Sequence, residues 1–299
     1  MLVDKNIFLY LHIPRTGGTT FQHAIGHPAE TENDRHLKHY VYVDPWSEDA
    51  YEDWLIPRLS QRTMEQQKKL VVMSGHSVFC NSHRWLKEKR TPRLITTIRH
   101  PIERILSDFN YRWTKQNRCQ DPKLFSSCTP YMDIWAIRQT KCASDYDSLW
   151  EFYQDTQFQQ NTQCKWIVKS FLARENDTWK RHPYYVFGPD SGIKEGQAVP
   201  ETWPEWMYQP TGDIDWFEFA SNFFPEMWWL GVTENLEKDI RSFTKMAGLD
   251  YTYKKLNESK DKYWTMDDVR KQPDIQKLVD AEKADMKLYE KAKQWTRPF

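Results

Sequence analysis

Short apolar runs punctuate an otherwise polar chain. They fall at residues 7–13, 70–73, 94–98 and 228–232. Each is too short for a buried helix and continuous rather than alternating, so each reads as a strand covered on both faces. Between them lie stretches with helical spacing, at 19–26, 102–113, 147–155, 158–173 and 234–247, the last stopped by Gly248. Residues 274–295 read as one charged amphipathic helix, and 82–90 as a short helix or loop. Residues 184–187 suit a further strand, whereas 28–60 are polar and irregular, 117–147 loop-rich, and 200–210 a loop rich in Trp and Pro. Short apolar strands alternating with helices predict an α/β fold, a mainly parallel sheet with helices on both faces. Ligands of such sheets bind beyond the carboxyl ends of the strands.

Two strand ends carry chemistry. The run 7–13 leads into Pro14-Arg15-Thr16-Gly17-Gly18-Thr19-Thr20, which opens the helix at 19. The run 94–98 leads into Arg99-His100-Pro101-Ile102-Glu103-Arg104-Ile105-Leu106-Ser107. Each places backbone N–H groups, hydroxyls and a cation at a helix N-terminus, where an anion is held by unpaired donors and the helix dipole. Gly17 and Gly18 permit a tight turn and close approach of backbone to an anion. Two such sites suggest a ligand with two separated anionic groups. The first loop is P-loop-like, but it is not a Walker A motif. Its cation, Arg15, precedes the glycines, and no Lys follows them.

Composition narrows the picture. The 299 residues carry 42 Lys plus Arg and 42 Asp plus Glu, so there is no global field for a polyanion, and no nucleic-acid partner is expected. No flexible linker and no internal repeat divides the chain. A single domain over 1–299 is expected, with a loop-rich, acceptor-side insertion at about 117–225. Tryptophan is abundant at 15 residues; Trp203, Trp206, Trp216, Trp228 and Trp229 are candidates for stacking on sugar rings as well as for packing. The five cysteines (Cys80, Cys119, Cys128, Cys142, Cys164) form no disulfide scaffold, although Cys119 with Cys128, or Cys142 with Cys164, could pair in an oxidising compartment. No Cys/His group has zinc spacing, and no metal is expected. Asn176 and Asn257 begin sequons. No stretch approaches the ~20 apolar residues of a membrane span. The expected location is soluble and cytoplasmic; a Golgi-lumenal catalytic domain whose anchor is absent is the alternative.

The segment His12-Ile13-Pro14-Arg15-Thr16-Gly17-Gly18-Thr19-Thr20-Phe21 resembles the 5′-phosphosulfate loop of sulfotransferases that use 3′-phosphoadenosine 5′-phosphosulfate (PAPS). Residues 99–107 resemble their 3′-phosphate site. Ser74-Gly75-His76-Ser77-Val78-Phe79 resembles the segment bearing their catalytic histidine. Residues 229–236 and 285–290 resemble their late strand–helix junction and C-terminal helix. The pattern is most similar to heparan sulfate 2-O- and 6-O-sulfotransferases and uronyl 2-O-sulfotransferase.

The resemblance implies PAPS as sulfuryl donor, a carbohydrate hydroxyl as acceptor, and no metal. It implies His76 as general base and Arg15 as the cation at the leaving phosphate. Arg15, Thr16, Gly17, Gly18, Thr19 and Thr20 would hold the 5′ group, Arg99 and Ser107 the 3′-phosphate, and Ser259 or Lys260 a loop over the nucleotide. Two departures matter. Arg15 stands where relatives have Lys, so it keeps the charge but cannot hand over a proton. Ser74 stands where 2-O relatives have a second histidine, a pattern closer to the 6-O enzymes. Arg104 is expected as a surface or acceptor-side charge, Lys87, Lys89 and Arg90 as a possible acidic-glycan patch, and His12 and His100 as loop-orienting residues. Alternatives are a sulfotransferase for protein tyrosine or a small metabolite, a P-loop kinase, and a non-catalytic glycan-binding module.

Overall fold

A computed structural model of the chain describes residues 5–25, 40–42, 59–76, 78, 80, 82–120, 143–155, 160–172, 215–249 and 262–295. Five parallel strands form one sheet: β1 (Asn6–Leu11), β2 (Tyr40–Tyr42), β3 (Val72–Gly75), β4 (Thr91–Ile98) and β5 (Met227–Val232), in the order β2-β3-β1-β4-β5. The expected mainly parallel sheet is therefore present. β1 lies at its centre and all six of its residues are buried. It ends two residues before the expected limit, because Ile13 N turns back to Leu11 O at 3.1 Å.

The pleat sends alternate residues to opposite faces. Ile7, Leu9, Leu11, Met73 and Leu94 meet one helical layer, made by α5 (Thr162–Leu172), α6 (Trp216–Ser221) and α10 (Lys283–Lys293). Phe8, Tyr10, Val72, Ile95 and Trp229 meet the other, α1 (Gly18–Ala24) and α7 (Leu236–Ala247). A third cluster joins α3 (Pro101–Gln120) to α4 (Leu149–Asp155), α8 (Met266–Arg270) and α9 (Ile275–Ala281) through Ile105, Phe109, Phe152 and Leu278. One further short helix, α2 (Met64–Lys68), starts with a capping box between Thr63 and Gln66.

Two expectations are corrected. The helix from Pro101 runs to Gln120, past the expected end at 113 and into the stretch read as loop. The helices expected at 147–155 and 158–173 are present as α4 and α5, and α5 buries Trp166, Ile167 and Phe171 against the sheet. The expected single helix at 274–295 is broken at Glu282, because the Asn161 side chain caps a new helix start by accepting from Ala284 N and Asp285 N at 3.1 and 3.2 Å. The proposed strand at 184–187, the Trp/Pro loop at 200–210, both sequons, and Cys128 and Cys142 lie outside the described residues. Cys80 and Cys164 are both buried, Cys164 as a free thiol.

Candidate active site

The parallel register brings the ends of four strands to one edge: His12 after β1, His76 after β3, Arg99 after β4 and Thr233 after β5. The first loop is bound to its neighbours by hydroxyls. Thr16 Oγ1 donates to Ile13 O at 2.8 Å, and Thr97 Oγ1 donates to Thr16 O at 2.8 Å. With that proton committed, Tyr10 OH is the donor to Thr97 Oγ1 at 2.6 Å. Thr233 Oγ1 adds a bond to Ile98 O at 3.1 Å. Thr16 is fully buried, and its hydroxyl shapes the loop. Thr19 is partly exposed and Thr20 is buried on α1.

Both glycines are demanded by space. Gly17 has φ 85°, in the left-handed region, and a Cβ there would lie 2.7 Å from Leu236 Cδ2. A Cβ on Gly18 would lie 1.8 Å from His12 Cδ2. Arg15 also has a positive φ, 68°, which an L residue adopts at some expense and which clusters at functional sites.

His76 is held in one tautomer. Its Nδ1 lies 2.7 Å from His12 O, and a carbonyl only accepts, so Nδ1 carries a proton and donates it there. The His12 ring stacks on it, centroids 4.1 Å apart at 20°. Gln22 Nε2 donates to His12 Nδ1 at 3.2 Å and to Ser74 Oγ at 3.0 Å. His12 therefore accepts at Nδ1 and is neutral. Burial, with the neighbouring His76 and Arg15 in support, holds its pKa well below the usual histidine range. The sequence reading of His12 as an orienting residue agrees with this geometry.

Arg15 and the second motif meet directly. Arg15 Nη2 donates to Ser107 O at 3.0 Å and Ser107 Oγ at 3.3 Å, and its guanidinium lies 4.2 Å over the Tyr111 ring. Arg99 Nη1 reaches Arg15 O at 3.5 Å, and Arg99 Nε lies 3.6 Å from Glu103 Oε2. Burial lowers both guanidinium pKa values; Asp108 opposes this at Arg15, and Glu103 and Glu234 at Arg99. The Arg15 Nε is buried without a hydrogen-bond partner. Such an orphaned cationic donor fits an anionic ligand.

Other expected residues divide. Ser259 and Lys260 lie outside the described residues. Arg104 is not at the surface: it is 2% exposed, and its charge faces the buried Glu282. Arg90 is also buried, donating to Leu70 O and Lys68 O, and Lys87 Nζ donates to Arg62 O at 3.1 Å, so two of the three cations of the suggested glycan patch serve the fold. Trp229 is core, and Trp228 packs 4.9 Å from Phe8. His100 makes an edge contact with Tyr289. Gln22, Tyr111 and Gln163 went unnoticed in the sequence; a Gln one helical turn after Gly18 was the only trace of the first.

Among the described residues no group of three or more His, Cys, Asp or Glu is placed to hold a metal ion, and no helix is long and apolar enough to cross a membrane. An all-parallel sheet with a glycine-containing loop after its central strand, and basic residues gathered at the strand ends, defines an α/β protein of the P-loop-like kind. Within that class, the model of the sulfotransferase family matches residues 1–182, more than half of the chain, and the chain belongs to that family. No curated protein matches the chain.

Proposed function

We propose that this sulfotransferase takes its sulfuryl group from PAPS and delivers it to a carbohydrate hydroxyl. The observation that carries the reading is His76 at the end of β3: its Nδ1 donates to His12 O at 2.7 Å, which orients the ring next to the loop after β1 and supports Nε2 as the base. The contact between Arg15 and Ser107 supports a ligand whose two anionic groups sit close together, as the 5′ and 3′ groups of one ribose do.

When bound, PAPS supplies an activated sulfuryl group on a phosphate leaving group. His76 Nε2 takes the acceptor proton as the hydroxyl oxygen bonds to sulfur in line and the sulfur–oxygen bond to the phosphate breaks. Arg15 holds the charge that grows on the departing phosphate oxygen, with the N–H groups of residues 16–20 around it. Arg99 and Ser107 hold the 3′-phosphate. Ser259 or Lys260 would close over the nucleotide. Neither Arg15 nor Ser74 serves as the acid or base. An arginine does not release its proton, and the Ser74 hydroxyl is already engaged by Gln22. A single base agrees with the 6-O-like pattern, and the carbohydrate acceptor follows from that resemblance.

Isothermal titration with 3′-phosphoadenosine 5′-phosphate, beside ATP with Mg²⁺, tests the donor. Tight binding of the bisphosphate alone is expected, followed by label transfer from PAPS to a panel of glycan acceptors. Binding of ATP with Mg²⁺ in its place would move the protein to the kinase reading. Transfer to tyrosine peptides or small alcohols, but not to glycans, would replace the acceptor.

A further inference from the structure

The backbone of Arg99 is gripped by one side chain. Arg99 N donates to Gln163 Oε1 at 2.9 Å, and Gln163 Nε2 donates to Arg99 O at 3.0 Å. Arg99 follows the last residue of β4 and precedes α3, so neither the ladder nor a helix satisfies these two groups. A primary amide is the side chain that both accepts and donates at this length; Glu lacks the donor, Asn the reach, and Leu both functions. Gln163 is itself fully buried and fixed. Its backbone N and that of Cys164 donate to the two carboxylate oxygens of Asp285, each at 2.8 Å, so the C-terminal helix α10 caps the start of α5. The return cap, Asn161 on Ala284 N and Asp285 N, locks the two helix starts together.

Among the described residues, the Arg99 side chain has long contacts, 3.5 Å to Arg15 O and 3.6 Å to Glu103. Its aim is therefore set by its backbone. We infer that Gln163 is a positioning residue for Arg99, anchored by Asp285, and that this pair sets affinity for the 3′-phosphate of the donor nucleotide. The inference rests on the proposed role of Arg99 as a phosphate ligand. Asp285 lies outside the segment matched by the family model, so it ties the far end of the chain to the nucleotide site.

The test compares the wild-type chain with Q163L, Q163E, R99A and the R99A/Q163L double variant. Binding of 3′-phosphoadenosine 5′-phosphate is measured by titration, and amide hydrogen exchange is followed at Arg99. Q163L should bind about tenfold more weakly, the worth of one charge-assisted hydrogen bond. The kcat at saturating donor should stay near wild type. Q163E, which keeps the acceptor for Arg99 N–H, should fall between, and it carries the comparison if Q163L does not fold. Q163L should add nothing in the R99A background, which a merely structural role would not produce. Equal affinity of Q163L and wild type, or additive losses in the double variant, would overturn the inference. If the wild-type chain fails to bind the bisphosphate, the proposed donor falls separately. Amide exchange at Arg99 then decides: faster exchange in Q163L upholds the grip, and unchanged exchange removes it.

Discussion

Arg15 and Ser107 stand 92 residues apart in the chain, and Arg15 Nη2 donates to both the carbonyl and the hydroxyl oxygen of Ser107, at 3.0 and 3.3 Å. The two motifs that read as separate anion sites are therefore in direct contact. Arg15 spans them: its backbone belongs to the first loop, its guanidinium to the start of α3.

Replacing Arg15 with Ala should lower kcat by about 10²–10³, the usual loss when one transition-state donor is removed. R15K restores the charge of the more usual residue but not the fork or the stacking on Tyr111, so it should stay within about tenfold of wild type. S107A leaves the carbonyl contact intact and should weaken bisphosphate binding several-fold with kcat nearly unchanged. Steady-state kinetics on the three variants separates these effects; equal kcat in R15A and wild type would remove Arg15 from the chemistry.

The base and its support make a second expectation. H76A should cost about 10²–10⁴ in turnover, with bisphosphate affinity retained. Gly18→Ala should act on the same histidine from a distance. The new Cβ would strike the His12 ring, which stacks on His76 and whose carbonyl fixes its tautomer. Overpacking of this kind costs about 1–3 kcal/mol. G18A should therefore lower both the melting temperature and kcat, and H12A/G18A should recover most of the stability but not the activity. Calorimetry and turnover on the two variants check this; full activity in G18A would show that the His12 ring has no part in aligning the base.

How much of this was visible in the sequence depends on how local the cause is. The strands were legible as apolar runs, because a parallel sheet buried on both faces leaves no polar alternation. The loops were legible because their glycines and hydroxyls are neighbours in the chain. Gln163 was not: its partner Arg99 is 64 residues away and bonds through backbone atoms, which have no sequence signature. Arg104 looked like a surface charge because the carboxylate it faces, Glu282, lies near the other end of the chain. The break at Glu282 was hidden for a related reason. Residues 274–295 carry a good helical pattern, and the cap that interrupts it comes from Asn161, more than 120 residues earlier.

His12 gives an acid-side expectation. Its folded pKa lies well below the ordinary value of 6.5, because burial disfavours the cation, and the neighbouring His76 and Arg15 act in the same direction. As pH falls below 6.5 the unfolded chain takes up a proton that the folded chain refuses, so stability is lost on acidification. His12→Gln removes the group and should flatten the melting temperature below pH 6.5. Imidazole signals followed by NMR should show His12 failing to titrate between pH 6 and 8; a His12 that titrates there would contradict its neutral, Gln22-bound form.

Glu282 gives the opposite sign. It is fully buried, with Oε1 accepting from Tyr153 OH and Asn161 N, each at 2.9 Å, while Oε2 has no hydrogen-bond partner. Burial, and then the neighbouring Asp285, push its pKa up to about 8 against a usual 4.5; Arg104 pulls the other way without overcoming them. A carboxyl whose folded pKa is raised keeps its proton in the folded chain while the unfolded chain releases it. Its contribution to stability is therefore complete below about pH 4.5 and is lost as pH climbs through 8. The melting temperature should fall from pH 5 to 8 in the wild-type chain, and this slope should shrink in E282Q, which preserves the acceptor to Tyr153 and Asn161 but has no proton to lose. Because Glu282 and Asp285 lie beneath the α5–α10 junction that holds Gln163, bisphosphate affinity should weaken over the same range in wild type and less so in E282Q. Calorimetric scans and titrations at pH 5, 6.5 and 8 make the comparison, and parallel slopes in the two proteins would mean that Glu282 is already ionised in the folded chain, paired with Arg104.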